Sequence, residues 1–177
     1  MDAPPLVLTA ALAPTEQAWL DGWREEFFPP ERNHLAAHLT LFHALPGARR
    51  DAIEAALEEI AARTPPPTAR ADGLRFLGAG VAVGVHSPAL VTLRAELATL
   101  WAGALTRQDE QPLRPHVTVC NKVTPERARA VERELSTRFT PRTFALPGLT
   151  LFAYAGGPWI PLSAFPFKGL SVALEPR

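Results

Sequence analysis

Two tetrapeptides of one type recur in this chain: His38-Leu39-Thr40-Leu41 and His116-Val117-Thr118-Val119. In an extended strand, residues i and i+2 share a face. Each tetrapeptide therefore turns a histidine and a threonine to one side and two aliphatics to the other. Two histidines facing each other across a cleft suit in-line displacement at phosphorus. A neutral imidazole takes a proton from the attacking oxygen while a protonated one gives a proton to the leaving oxygen. The reference histidine pKa of about 6.5 makes both forms available near neutral pH. The threonine hydroxyls, one per strand, can donate to the non-bridging oxygens as charge develops on them. This chemistry requires no metal and no cofactor. A single HxTx is common by chance; two copies at equivalent places of a repeated pattern are a sharper signal.

The elements that must position these residues follow from hydrophobic spacing and punctuation. Residues 6–12 read as a buried strand. Trp19, Trp23 and Phe27 fall at i, i+4, i+8 on a helix face, which Pro29 and Pro30 stop. Residues 37–45 alternate as a strand, and Ile53, Leu57, Ile60 and Ala61 give a second helix over 48–62. The run Thr64 to Thr68, with three consecutive prolines, reads as a linker. The order then recurs, with strands at 70–78 and 81–85. Ser87-Pro88 opens a helix with the stripe Leu90, Leu93, Leu97, Leu100 and Trp101. The His116 strand, read over 114–123, comes next. Thr124-Pro125-Glu126 opens a last helix with Ala128, Val131, Leu135 and Phe139 on one face. The aromatic, proline-broken tail reads as a hairpin of strands near 143–154 and 159–167 about Gly156-Gly157-Pro158.

Strand–helix–strand–helix thus appears twice. The expected fold is α+β and bilobal: one domain over 1–177, two similar lobes of mainly antiparallel sheet with helices outside and a central cleft. Lobe one would span about 1–63, the linker 64–68, and lobe two about 69–177, with the C-terminal hairpin available to complete the cleft. The aliphatics of each motif strand would pack under the helices of their own lobe.

The paired motifs, Arg114-Pro115 before the second of them, and Gly156 to Trp159 together resemble the two-histidine (2H) phosphoesterase superfamily, which includes 2′-5′ RNA ligase-like proteins and RNA 2′,3′-cyclic phosphodiesterases. The likeness spans nearly the whole chain in element order, and its specific part is the two tetrapeptides. It implies a bilobal fold and metal-independent chemistry at phosphodiesters, on 2′,3′-cyclic phosphates or 2′-5′ linkages. On the matching positions, His38 and His116 would be the acid–base pair and Thr40 and Thr118 the phosphate-orienting hydroxyls. Which histidine is acid and which is base stays open, as does hydrolysis against ligation. A binding module that holds a nucleotide or RNA end in the same cleft without turnover is the alternative.

The neighbours each admit two readings. Arg114 shares the parity of His116 and is held extended by Pro115, to reach a phosphate or to make a surface ion pair. Lys122 continues the His116 face, as a phosphate partner or a solvated strand end. Cys120 lies on the same face with no activating partner and reads as a small apolar filler. Phe42 is a base-stacking candidate against a core residue. Tyr154 and Trp159 are a stacking wall against hairpin packing. His34 and His43 flank the first motif, but no carboxylate–histidine spacing accompanies them, and His43 has opposite parity to His38, so a metal site is not expected.

Composition sets the outer limits. The 177 residues carry 18 Lys+Arg against 18 Asp+Glu, and 47% are apolar. That suits an ordinary globular core and argues against extended DNA binding, which favours a basic excess. The expected partner is a small nucleotide or an RNA end. One cysteine, Cys120, excludes an internal disulfide. No apolar run approaches the roughly 18 residues of a membrane span. A cytoplasmic monomer is expected.

Overall fold

A computed structural model of the chain describes residues 3–171. Its elements run β1 (Leu6–Ala10), α1 (Pro14–Phe27), β2 (Leu39–Leu45), α2 (Arg50–Arg63), β3 (Thr68–Phe76), β4 (Val81–His86), α3 (Pro88–Leu100), β5 (His116–Cys120), α4 (Pro125–Arg138), β6 (Arg142–Ala145), β7 (Gly148–Ala153) and β8 (Ile160–Pro166). The helix starts obey their local signals. Proline occupies the first turn of α1, α3 and α4, where its missing N–H costs nothing. The Ser87 and Thr124 side chains accept the main-chain N–H of Leu90 and Arg127.

The strands form two antiparallel four-stranded sheets, ordered β2-β1-β7-β8 and β5-β4-β3-β6. The α+β bilobal expectation holds, and in both sheets the motif strand, β2 or β5, lies at an edge. The lobes are not consecutive stretches of chain, however. The C-terminal hairpin joins the first sheet: β7 pairs with β1, Leu6 opposite Ala153 through Ala10 opposite Leu149. Lobe two therefore ends near Ala145. The strand expected over 143–154 is two strands, because Pro147 lacks the N–H a continuous ladder needs, and the chain crosses between sheets there. Residues 64–67 link as expected, but Thr68 already pairs with Ala145.

The helices exchange partners. α1, from the first lobe, packs on β5 of the second, while α2 lies on β7 and β8 and α4 on β3 and β4. Trp19 and Trp23 of α1 meet Phe139 at the end of α4 at 6.5 and 6.4 Å. Trp101 at the end of α3 stacks edge-on against Phe42 of β2 at 5.2 Å. The motif aliphatics are thus covered from the opposite lobe, not from their own. One continuous apolar cluster runs through both sheets, from Leu8 and Leu39 to Val83, Val117 and Leu135. At about 25 cal/mol per Å², that shared burial binds the lobes into one unit. Leu100, expected in the stripe of α3, is 62% exposed beside α2.

Candidate active site

The two motif histidines are anchored identically. His38 Nδ1 lies 2.7 Å from the Ala36 carbonyl and His116 Nδ1 lies 2.8 Å from the Arg114 carbonyl, each two residues upstream. A carbonyl oxygen only accepts, so Nδ1–H is the donor in both rings. Nε2 is then the nitrogen left for chemistry, and the second strand repeats the tautomer of the first. Pro115 holds Arg114 extended, which aims its carbonyl at the ring.

The rings are half-buried and their proton affinities follow from that. Burial pushes His38 below the usual imidazole value. The Ala36 carbonyl pulls it back, and the positive charges of Arg24, His116 and His43 push it down again. Burial also lowers His116, opposed by the Arg114 carbonyl and reinforced by Arg75 and His43. The charge of His116 is thus felt at His38, and β2 and β5 touch at the lobe junction.

The threonines share the parity of their histidines along each strand, and both are half-buried. Thr40 aligns with Thr9 of β1, and Thr9 with Thr150 of β7, a hydroxyl row across the first sheet. Thr118 aligns with Ala82 of β4, and Ala82 with Arg75 of β3. Two recesses open from this junction. One, about 440 Å³, holds His38, Thr9, Thr150 and Trp159. The other, about 560 Å³, holds Thr40, His43, Arg75, Arg114 and His116. Arg75 Nη1 approaches the same Arg114 carbonyl at 3.3 Å and His116 Nδ1 at 3.4 Å. Since that nitrogen already carries a donated proton, the second approach is charge proximity, not a hydrogen bond.

Other expected residues divide. Trp159 lies 4.7 Å from the His38 ring and 5.5 Å from Phe152, between centroids, so it walls the His38 recess. Tyr154, 42% exposed, lines a neighbouring recess with Trp159, Lys122, Arg32 and His34. Lys122 is not on the strand: β5 ends at Cys120, and Lys122 sits in a left-handed turn at φ 59°. Its parity with His116 is therefore lost, and it lines that recess with Tyr154. Cys120 is fully buried in the shared core, and burial raises its thiol.

Phe42 is not a stacking surface. It is 0% exposed, with Trp101 on its edge and the Arg94 guanidinium 4.2 Å over its face. The cause is a register shift: Leu8 pairs with Phe42 but Thr9 with Thr40. This β-bulge sends both Leu41 and Phe42 into the core. It also reverses the parity beyond it, so His43 turns to the cleft side occupied by Thr40. No group of three His, Cys, Asp or Glu that could hold a metal occurs among the described residues.

Two arginines escaped the sequence reading. Arg24 of α1 donates from Nη1 to the Thr118 carbonyl at 2.8 Å, and from Nε to Asn33 Oδ1 and the Leu35 carbonyl at 3.2 and 3.1 Å. Arg94 of α3 donates from Nε to the Leu41 carbonyl at 3.3 Å and from Nη2 to the Asp109 carbonyl. Each helix thus clamps the motif strand of the other lobe. The signal was present: Leu20-Trp23-Arg24-Phe27 and Leu90-Leu93-Arg94-Leu97 share one spacing, with an arginine inside an otherwise buried stripe. Asp109, 1% exposed in the loop after α3, had no such local mark.

The geometry defines a bilobal α+β protein with twinned histidine–threonine strands at the junction of its sheets. The chain belongs to the 2′-5′ RNA ligase superfamily, of the two-histidine phosphoesterases, whose family model matches residues 12–158 and takes in both tetrapeptides. Solved structures share the fold. TT0787 of Thermus thermophilus is similar at TM-score 0.65 and 17% identity, over 93% of this chain and 98% of that one. LigT of E. coli complexed with 3′-AMP is similar at TM-score 0.60 and 22% identity, over 94% and 99%. A protein described as a phosphoesterase follows at TM-score 0.58 and 22% identity, over 94% and 99%. No curated protein sequence matches the chain. Membership supports a phosphoesterase or ligase type of activity. No helix among the described residues is long and apolar enough to cross a membrane.

Proposed function

We propose that the chain is a metal-independent phosphodiesterase acting on 2′,3′-cyclic phosphate or 2′-5′ linked nucleotides. The observation that supports this is the matched pair of histidines, each with Nδ1–H fixed on the carbonyl two residues upstream, which leaves Nε2 outside that bond. In the neutral ring Nε2 accepts the proton of the attacking oxygen; in the protonated ring Nε2–H donates to the leaving oxygen. Their depressed proton affinities suit this division, because a ring neutral in the free protein gains its proton most readily when a phosphate anion sits beside it. Thr40 and Thr118, one from each lobe, donate to the two non-bridging oxygens, whose charge grows in the transition state. Arg75 and Arg114 add positive charge on the His116 side, and Trp159 offers an aromatic wall on the His38 side.

The test is incubation with a panel of 2′,3′-cyclic mononucleotides and 2′-5′ linked dinucleotides in EDTA. Release of a 2′- or 3′-phosphomonoester at many turnovers per protein is expected, with the bond cut read from the product. Saturable binding with intact ligand after long incubation would instead establish the non-catalytic binding module.

A further inference from the structure

The recess on the His116 side contains more cationic machinery than one reacting phosphate uses. Beyond the bulge, His43 turns into it with its side chain 47% exposed. Its Nδ1 lies 3.1 Å from Asp109 Oδ1. A carboxylate accepts and does not donate, so Nδ1–H is fixed on Asp109 and Nε2 becomes the exposed ring nitrogen. Asp109 is built for this position. Its oxygens also accept the main-chain N–H of His43, at 2.8 and 3.1 Å, and of Ala44, at 2.9 Å. Burial drives its carboxyl upward, but the bonds from the His43 ring and from these two N–H groups, with the His43 charge, hold it below its usual range. Arg94 grips the Asp109 carbonyl from behind. Among the described residues Asp109 is the only acid in this wall, and it is wholly engaged, while Arg75 and Arg114 line the same recess. In a chain of zero formal net charge, that local excess of positive groups calls for an anion.

We propose that this recess is a second anion subsite, in which His43, oriented by Asp109, acts with Arg75 and Arg114 to hold a phosphate of the ligand other than the one that reacts. The ligand class is a nucleotide with a second phosphoryl group. Two sources share that chemistry: the 5′-phosphate of a mononucleotide, and the next phosphodiester of an RNA end. The inference rests on the reading that the paired histidines act on a phosphodiester.

The test compares kcat/KM for adenosine 2′,3′-cyclic phosphate, the same compound bearing a 5′-phosphate, and the adenosine dinucleotide ending in a 2′,3′-cyclic phosphate. The second phosphate is expected to raise kcat/KM about tenfold, mainly through KM, as charge-assisted contacts do. The arm that gains identifies the source. In His43→Ala and Asp109→Asn that ratio is expected to fall toward one. A wild-type ratio of one, or a ratio that survives His43→Ala, overturns the subsite and leaves Asp109 as a cap on the N–H groups of β2. Because His43 is exposed on a strand, His43→Ala tests the idea even if Asp109→Asn fails to fold. Equilibrium binding of adenosine 3′-phosphate against adenosine 3′,5′-bisphosphate to wild type and His43→Ala decides the matter separately from turnover. Preference for the bisphosphate that disappears in His43→Ala supports the subsite even if no substrate is cleaved, which would overturn only the catalytic reading. Equal binding of both ligands overturns the subsite.

Discussion

At the scale of single residues, the duplicated anchoring of the histidines makes the strongest demands. His38→Ala or His116→Ala is expected to lower kcat by about 10²- to 10⁴-fold, the range for a positioned acid or base. Thr40→Val and Thr118→Val should each cost about 10²-fold, as loss of one donor to a developing oxyanion does. Steady-state rates on a cleaved cyclic nucleotide check both, and full activity in both histidine variants would remove the proposed mechanism. The pH profile has a definite sign. One ring must carry a proton and the other must not, and in the free protein burial first, then neighbouring positive charge, holds both below the ordinary value of about 6.5. The bell for kcat/KM should therefore centre below about pH 6.5, with limits that belong to the pair. A bound phosphate anion favours the protonated rings, so the kcat bell should lie at higher pH. A kcat/KM optimum well above pH 7 would contradict this account.

At the scale of elements, the reciprocal arginines decide whether the two strands stay in place. Arg24→Met removes the donor to three acceptors at the junction of α1, the His38 approach and β5. At about 1–3 kcal/mol for each buried acceptor left unpaired, a loss of about 2–5 kcal/mol in denaturant unfolding is expected. A purely structural role would stop there. Arg24 also lowers the proton affinity of His38, so in the variant the kcat/KM bell should move to higher pH; an unmoved bell would limit Arg24 to packing. Phe42 gives the companion test for the bulge. Phe42→Ala should cost about 3–5 kcal/mol of stability, as a buried aromatic does, with KM for a nucleotide largely retained. A large KM rise at undiminished stability would restore the stacking reading.

At the scale of the whole molecule, the chain must close on itself before either lobe is complete. Ending it at Pro147 deletes β7 and β8, strips β1 of the partner along its inner edge, and removes Leu149, Leu151 and Phe165 from the core. Since α1 and α3 each cover the opposite sheet, the remainder cannot fold as one good lobe beside one damaged lobe. The truncated chain is expected to lack a cooperative thermal transition by circular dichroism. A transition matching the full chain would show the lobes to be independent.

Local and repeated features could be read from the amino-acid order alone. It placed the helix starts at their prolines and caps, the two motif strands with their polar faces, the α+β class, and the matched His–Thr pairs, because these depend on periodicity and on residues a few positions apart. The buried arginines, Arg24 and Arg94 at one spacing in two stripes, left a signal there that went unread. Three things required the tertiary structure. The β-bulge in β2 reversed the parity of Phe42 and His43, since strand alternation holds only while the register does. The left-handed turn at Lys122 took that residue off the His116 face for a similar reason. The pairing of β7 with β1, the crossing of α1 and α3 to the opposite sheets, and the arrival of Asp109 at His43 join residues far apart in the chain. Nothing local marks such pairs; they are chosen by which edges and apolar faces remain uncovered once the nearer contacts have formed.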